Sequence, residues 1–128
     1  LLNYQFATIR FMPDQVRGEF VNVGVVLQVE GRSQPMWQFT KDISRMQFLD
    51  STMTEGRWLQ FRQEVVEIEL PSDYSLRKGA VDLINYLYYT LPFPFVLSDI
   101  VTGRHDNPLR QIDHYFKQLV EIEKEETL

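Results

Sequence analysis

Two stretches of the chain hold side chains that could do chemistry. In RFMPDQVRGEFVNVGVVLQVE, residues 10 to 30, Arg10 and Arg17 offer guanidinium forks suited to a carboxylate or phosphate, Glu19 a carboxylate and Asn22 an amide that both donates and accepts. Gly24 stands among valines, where a missing side chain lets a ligand or a second backbone approach closely. In SDIVTGRHDN, residues 98 to 107, Ser98, Asp99, Thr102, Arg104 and His105 gather hydroxyl, carboxylate, guanidinium and imidazole groups around Gly103. A hydrolase would need its nucleophile oriented by a base, and His105 is the histidine placed for that role.

Each set also has a plainer reading. Arg17 and Glu19 can pair with one another or close a turn, Asn22 can satisfy a buried backbone group, and Gly24 can mark a bulge. Ser, Asp, Thr and Gly are the ordinary residues of turns, so the second set can arise from loop composition alone. Both readings stay open at this point. His114 falls off the apolar stripe of its segment and reads as a solvated side chain. The aromatics Tyr86, Tyr88, Tyr89, Phe93 and Phe95 could stack nucleic-acid bases, but they equally fill cores and interfaces, and the acidic charge balance favours the latter.

The bulk properties remove several classes. At 128 residues with 44% hydrophobic content the chain is the size of one domain with one core. It has no cysteine, which excludes disulfides and thiolate metal sites and fits the cytoplasm. A net charge of −5 opposes attraction to a phosphate backbone, so nucleic acid is disfavoured as a partner. The opening LLNYQFATIRF does not read as a signal peptide, and the 11-residue run LYYTLPFPFVL is too short and too proline-broken to span a bilayer. Two histidines nine residues apart, without HExxH spacing, make no metal constellation, and no GxGxxG or GxSxG pattern is present. No cofactor is expected.

The elements that must position these residues follow from periodicity. Residues 4 to 11 and 19 to 29 read as two strands of a hairpin joined by MPDQVRG. In the second, Val21, Val23, Val25, Leu27 and Val29 alternate, which predicts a single core face with Phe20, Asn22, Gly24, Val26 and Gln28 on the reverse. Pairing without a bulge would set Thr8 opposite Asn22, Phe6 opposite Gly24 and Arg10 opposite Phe20, leaving a ring over the bare glycine. MWQF extends the meander. Thr40 is the expected N-cap of a helix carrying Ile43, Met46 and Leu49. Residues 55 to 69 place Trp58, Phe61, Val65 and Ile68 on one helical face, ended by Pro71. A third helix carries Leu76, Ala80, Leu83, Ile84 and Leu87. Asn107 and Pro108 start a fourth, with the stripe Leu109, Ile112, Phe116, Leu119 and Val120. The expected fold is α+β, a single domain with an N-terminal antiparallel hairpin or meander and about four helices packed on one face.

With the hairpin in view, IRFMPDQVRGEFVNVGVVL resembles the opening of the bacterial family called domain of unknown function 3037, which begins with an Arg-aromatic-x-Pro stretch followed by Arg-Gly-Glu-Phe-x-Asn-x-Gly-Val. Arg10, Phe11 and Pro13, then Arg17, Gly18, Glu19, Phe20, Asn22, Gly24 and Val25, fill those places. SDIVTGRHDNPLRQIDHYFKQLV is similar to the closing segment of the family, through Ser98, Gly103 and Asn107-Pro108, with Asn where the family often has Asp. The family's Arg-Ser-Thr run before that loop has no match around YTLPFPFVL. The resemblance implies a cytosolic bacterial or phage protein, and it suggests a partner of the HipA-like kinase kind.

The function expected from all this is a non-enzymatic protein-binding or accessory module. Its binding residues would be Thr8, Arg10, Arg17, Glu19, Asn22 and Gly24 on the exposed hairpin face and Ser98, Thr102 and Gly103 in the loop. One alternative is an enzyme acting on nucleic acid or a nucleotide through Arg17, Glu19 and Asn22. The other is a structural domain forming a homodimer through an uncovered sheet face or edge strand.

Overall fold

The computed structural model describes residues 1–32, 34–69 and 83–121. Five strands, β1 (Leu2–Asp14), β2 (Glu19–Val29), β3 (Met36–Phe39), β4 (Phe95–Leu97) and β5 (Val101–His105), form one antiparallel sheet. Four helices accompany it, α1 (Ser44–Leu49), α2 (Glu55–Val65), α3 (Leu83–Thr90) and α4 (Pro108–Leu119). The α+β class with an N-terminal sheet is therefore the observed one. β1 is the hub: β2 lies along one side, while β4 and β5 lie end to end along the other. The stretch around PFPFVLSDIVTG thus supplies two strands where only an extended segment and a turn were expected.

The valine alternation does not survive as one face. Along β1 and β2 the pairing runs from Tyr4 opposite Val29 to Ile9 opposite Gly24, then slips so that Arg10 faces Asn22. Val23 is the extra residue, a β-bulge, and it moves every later side chain of β2 to the other side of the expected pattern. Val21, Val23 and Val26 join Ala7, Ile9 and Phe11 under α1, α2 and α3, where Met46, Trp58, Phe61, Val65, Ile84 and Leu87 pack. Val25, Leu27 and Val29 join Tyr4 and Phe6 on the reverse face, beneath Ile112, Phe116 and Val120 at α4. The helices consequently lie on both faces and not on one. Burying three such side chains under α4 is worth roughly 1.5–3 kcal/mol each, against about 1 kcal/mol for one interrupted ladder hydrogen bond. The bulge wins on those terms.

The predicted register is corrected with it. Thr8 sits opposite Val25, Ile9 opposite Gly24 and Arg10 opposite Asn22. A ring does cover Gly24, but it belongs to Phe39 of β3: a Cβ there would lie 2.9 Å from Phe39 Cδ1 and 3.0 Å from the Gln38 carbonyl oxygen. Gly103 follows the same rule, since its Cβ would fall 2.5 Å from the Tyr4 ring across the β1–β5 ladder. Each of these glycines is the floor on which a neighbouring strand lays an aromatic ring.

Local signals fared unevenly. Thr54 caps α2, accepting from the Arg57 amide at 3.1 Å, and Trp58, Phe61 and Val65 are buried as the spacing predicts. Thr40 is not a helix cap. Its hydroxyl accepts from the Asp42 amide and its carbonyl accepts from Trp58 Nε1, while α1 begins four residues on, at Ser44. Pro108 opens α4, yet Leu109 is exposed, because the buried stripe runs through Pro108, Ile112, Phe116 and Val120. α2 ends at Val65, so Ile68 lies beyond it and Pro71 is not what ends it; the expectations for Leu76 and Ala80 fall outside the described residues.

Two predictions follow from these packing relations. Gly103→Ala and Gly24→Ala should each cost roughly 1–3 kcal/mol in urea unfolding through overpacking, whereas Gly56→Ala, in the first turn of α2 with no close neighbour, should be neutral or stabilise by up to about 1 kcal/mol; equal effects at all three would refute the ring-on-glycine account. The second concerns Tyr4, whose hydroxyl lies 2.8 Å from that of Tyr115 and whose pKa is pushed up to about 12, first by burial and then by that hydrogen bond. The folded state holds this proton more tightly than the unfolded chain, so its contribution is complete below about pH 10 and is lost as pH rises toward 12. Melting temperature should fall more steeply across that window for wild type than for Tyr4→Phe, and parallel curves would contradict it.

Candidate functional site

The bulge and the break between β4 and β5 determine where the polar residues end up. β4 pairs with β1 through Leu97 opposite Ile9, and β5 resumes with Val101 opposite Phe6. Ser98 mends the gap between them: its hydroxyl accepts from the Thr8 amide at 2.8 Å, and its own amide donates to the Thr8 carbonyl at 2.8 Å. The hydroxyl in turn donates to the Asp99 carbonyl at 3.2 Å. A serine side chain here takes the place of a ladder carbonyl.

Beside this patch, on the α4 face, is a cavity of about 370 Å³. Its apolar walls are Phe6, Leu97, Val101 and Leu119, and its polar groups are Thr8, Arg10, Ser98 and Asp99. Three of the sequence-derived candidates, Thr8, Arg10 and Ser98, thus meet in one place. Thr8 itself is buried and not on an open face.

Arg10 is the unusual member. It is half-buried, its guanidinium carbon lies 4.3 Å from the centre of the Phe20 ring, and its Nε is enclosed without a hydrogen-bond acceptor. A buried donor left in that condition costs roughly 1–3 kcal/mol; the terminal guanidinium nitrogens, which are not enclosed, are the ones an acceptor in the cavity can meet. Asp99 is exposed at the same cavity and accepts from the Tyr88 hydroxyl at 3.4 Å.

The remaining candidates are placed elsewhere. Arg17 and Glu19 pair at 3.2 Å on the exposed hairpin tip, where Asp14 Oδ1 accepts the Val16 and Arg17 amides and Gly18 supplies φ +73°. Asn22 donates through Nδ2 to the Leu119 carbonyl at 3.0 Å, tying β2 to the end of α4, and its Oδ1 is buried without a partner. Gly24 is filled by Phe39, Gly103 by Tyr4, and Thr102 is exposed on the sheet face away from the cavity. Arg17, Glu19 and Asn22 therefore do not form one polar cluster; Glu19 and Asn22 are three residues, about 10 Å, apart along the strand.

Nor do Ser98 and His105 form a nucleophile and base. Ser98 lies beside Thr8, and His105 pairs with Leu2, about 20 Å further along β1 at strand spacing. The His105 Nδ1 accepts the Asn107 amide at 2.8 Å, which marks the turn into α4. No cluster of three or more potential metal ligands occurs among the described residues. No helix among them is long and apolar enough to cross a membrane. A second cavity, of about 760 Å³, lies at the other side of the α4 terminus, where Lys41, Asp42, Arg45 and Glu121 mix both signs of charge and Arg45 donates to the Val120 carbonyl at 3.3 Å. Its arginine already has an acceptor, which Arg10 of the first cavity does not have among the described residues.

The sequence reading missed the walls Leu97, Val101 and Leu119. Their apolar character was visible, but nothing local said that they would line one cavity with Arg10.

Across residues 6–120 the chain matches the family described as protein of unknown function (DUF3037). The chain belongs to that family. The DUF3037 match takes in both the hairpin and the Ser98 to Val120 segment, so the cavity lies wholly inside the family's span. No curated protein and no solved structure matches the chain.

The tie from Asn22 to α4 leads to a prediction. Asn22→Ala should cost about 1 kcal/mol for the lost hydrogen bond. Asn22→Asp should cost more, roughly 1–2 kcal/mol, because a carboxylate would face the Leu119 carbonyl at the negative end of α4. The excess should vanish when that carboxyl is protonated below about pH 4. An aspartate variant as stable as the alanine one at neutral pH would remove the proposed geometry.

Proposed function

We propose that this DUF3037 chain is a non-catalytic module that binds a protein partner, and that the cavity between α4 and the β4–β5 break receives a side chain of that partner. The observation that carries the reading is Arg10: a half-buried arginine beside apolar walls, lying over the Phe20 ring and making no hydrogen bond or ion pair among the described residues. Interface hot spots are built from an arginine and aromatic groups around a dry pocket. Phe20 and Val101, both partly exposed, offer apolar surface around it.

Catalysis through the residues singled out in the sequence has little support. Ser98 spends its hydroxyl on the sheet, His105 is remote, and Arg17 and Glu19 neutralise one another at the hairpin tip. Dimerisation through an open sheet face is disfavoured in the same way, since helices already cover core positions on both faces.

The test is a binding assay in which Val101→Trp fills the cavity mouth and Phe48→Ala, at a 90% exposed position on α1, serves as control. A HipA-like kinase is the first partner to try, followed by proteins retained from a bacterial lysate and identified by mass. Val101→Trp should weaken the interaction at least roughly tenfold, the scale of a hot-spot contact, and Phe48→Ala should leave it intact. A folded Val101→Trp protein that retains its partners at full strength would overturn the proposal.

A further inference from the structure

We infer that the occupant of this cavity is a carboxylate set beside a branched apolar group, presented by a peptide segment of the partner, with Arg10 as the group that holds the carboxylate. The inference rests on the binding reading above and adds the chemistry of what is bound. Three observations point to it. The Arg10 guanidinium makes no hydrogen bond and no ion pair among the described residues; its Nε–H is sealed from the cavity, and its terminal nitrogens are not. The guanidinium carbon lies over the Phe20 ring, 4.3 Å from its centre, and an arginine fork suits a planar, two-oxygen acceptor. Phe6, Leu97, Val101 and Leu119 supply the contact for an aliphatic neighbour, in a volume of about 370 Å³ that lies at the small end of ligand sites.

The choice of carboxylate over phosphate comes from charge. Among the described residues Arg10 is the single cation lining the cavity, and Asp99 lines it too. One positive charge offset by a nearby negative one suits a monoanion; a phosphate dianion would bring excess charge against Asp99. The Thr8 hydroxyl, which makes no hydrogen bond among the described residues, is a second donor for the same oxygens.

The experiment is a titration of the whole ¹⁵N-labelled chain followed by NMR at the Arg10 Nε–H signal, assigned by its loss in Arg10→Lys. The probes are a capped tetrapeptide with adjacent leucine and glutamate, its glutamine counterpart, free 4-methylpentanoate and inorganic phosphate. The glutamate peptide should shift the Nε–H signal as a carboxylate meets the terminal nitrogens of the same guanidinium, and the glutamine peptide should bind roughly tenfold more weakly or less well still. Arg10→Gln should abolish the difference between the two peptides. Equal binding of both peptides would overturn the carboxylate assignment while leaving the Val101→Trp result, and hence the binding reading, standing. Phosphate moving the signal where the glutamate peptide does not would overturn it in favour of a phosphate site, and 4-methylpentanoate binding as tightly as the peptide would overturn the peptide source. No response to any probe would overturn the inference outright.

Discussion

The one-residue slip at Val23 governs the architecture. A strand of alternating valines would otherwise be amphipathic, with one wet side, and only one layer of helices could be held. Inserting a single unpaired residue hands Val21, Val23 and Val26 to one layer and Val25, Leu27 and Val29 to the other, so a sheet of modest size holds two cores. Everything placed on the α4 side depends on this, including the meeting of Arg10 with Asn22 across the ladder.

The polar residues of the hairpin are accordingly divided among different tasks. Asp14, Arg17, Gly18 and Glu19 build the tip, Asn22 anchors the end of α4, and Ser98 repairs a strand break. Arg10 makes no hydrogen bond or ion pair among the described residues and lies over the Phe20 ring. Most of these polar residues thus hold the backbone in place around the cavity that Arg10 lines.

Much of the fold was legible because its signals are local. The bounds of β2 and β3, the start of α2 with Trp58, Phe61 and Val65, and the Pro108 start of α4 each depend on neighbours a few residues apart. The bulge was less legible: Gly24 hinted at it, but strict alternation of valines pointed the other way, and the deciding term was burial under α4, a helix more than eighty residues downstream. Thr40 failed as a cap for a similar reason, since its carbonyl is claimed by the indole of Trp58 from the next helix. The site shares this division. Thr8, Arg10 and Ser98 could be named from residue type, while the walls that make them a cavity come from a strand break with no sequence marker of its own.

The central position of β1 has a consequence for biosynthesis. Its first side is zipped by the very next strand, but its second side must wait for residues 95 to 105, with Leu2 finally meeting His105. A chain emerging from the ribosome therefore carries a bare hydrogen-bonding edge on β1 until residues 95 to 105 follow. Such an edge is open to wrong partners, and shielding it over that interval becomes a requirement that this topology places on the cell.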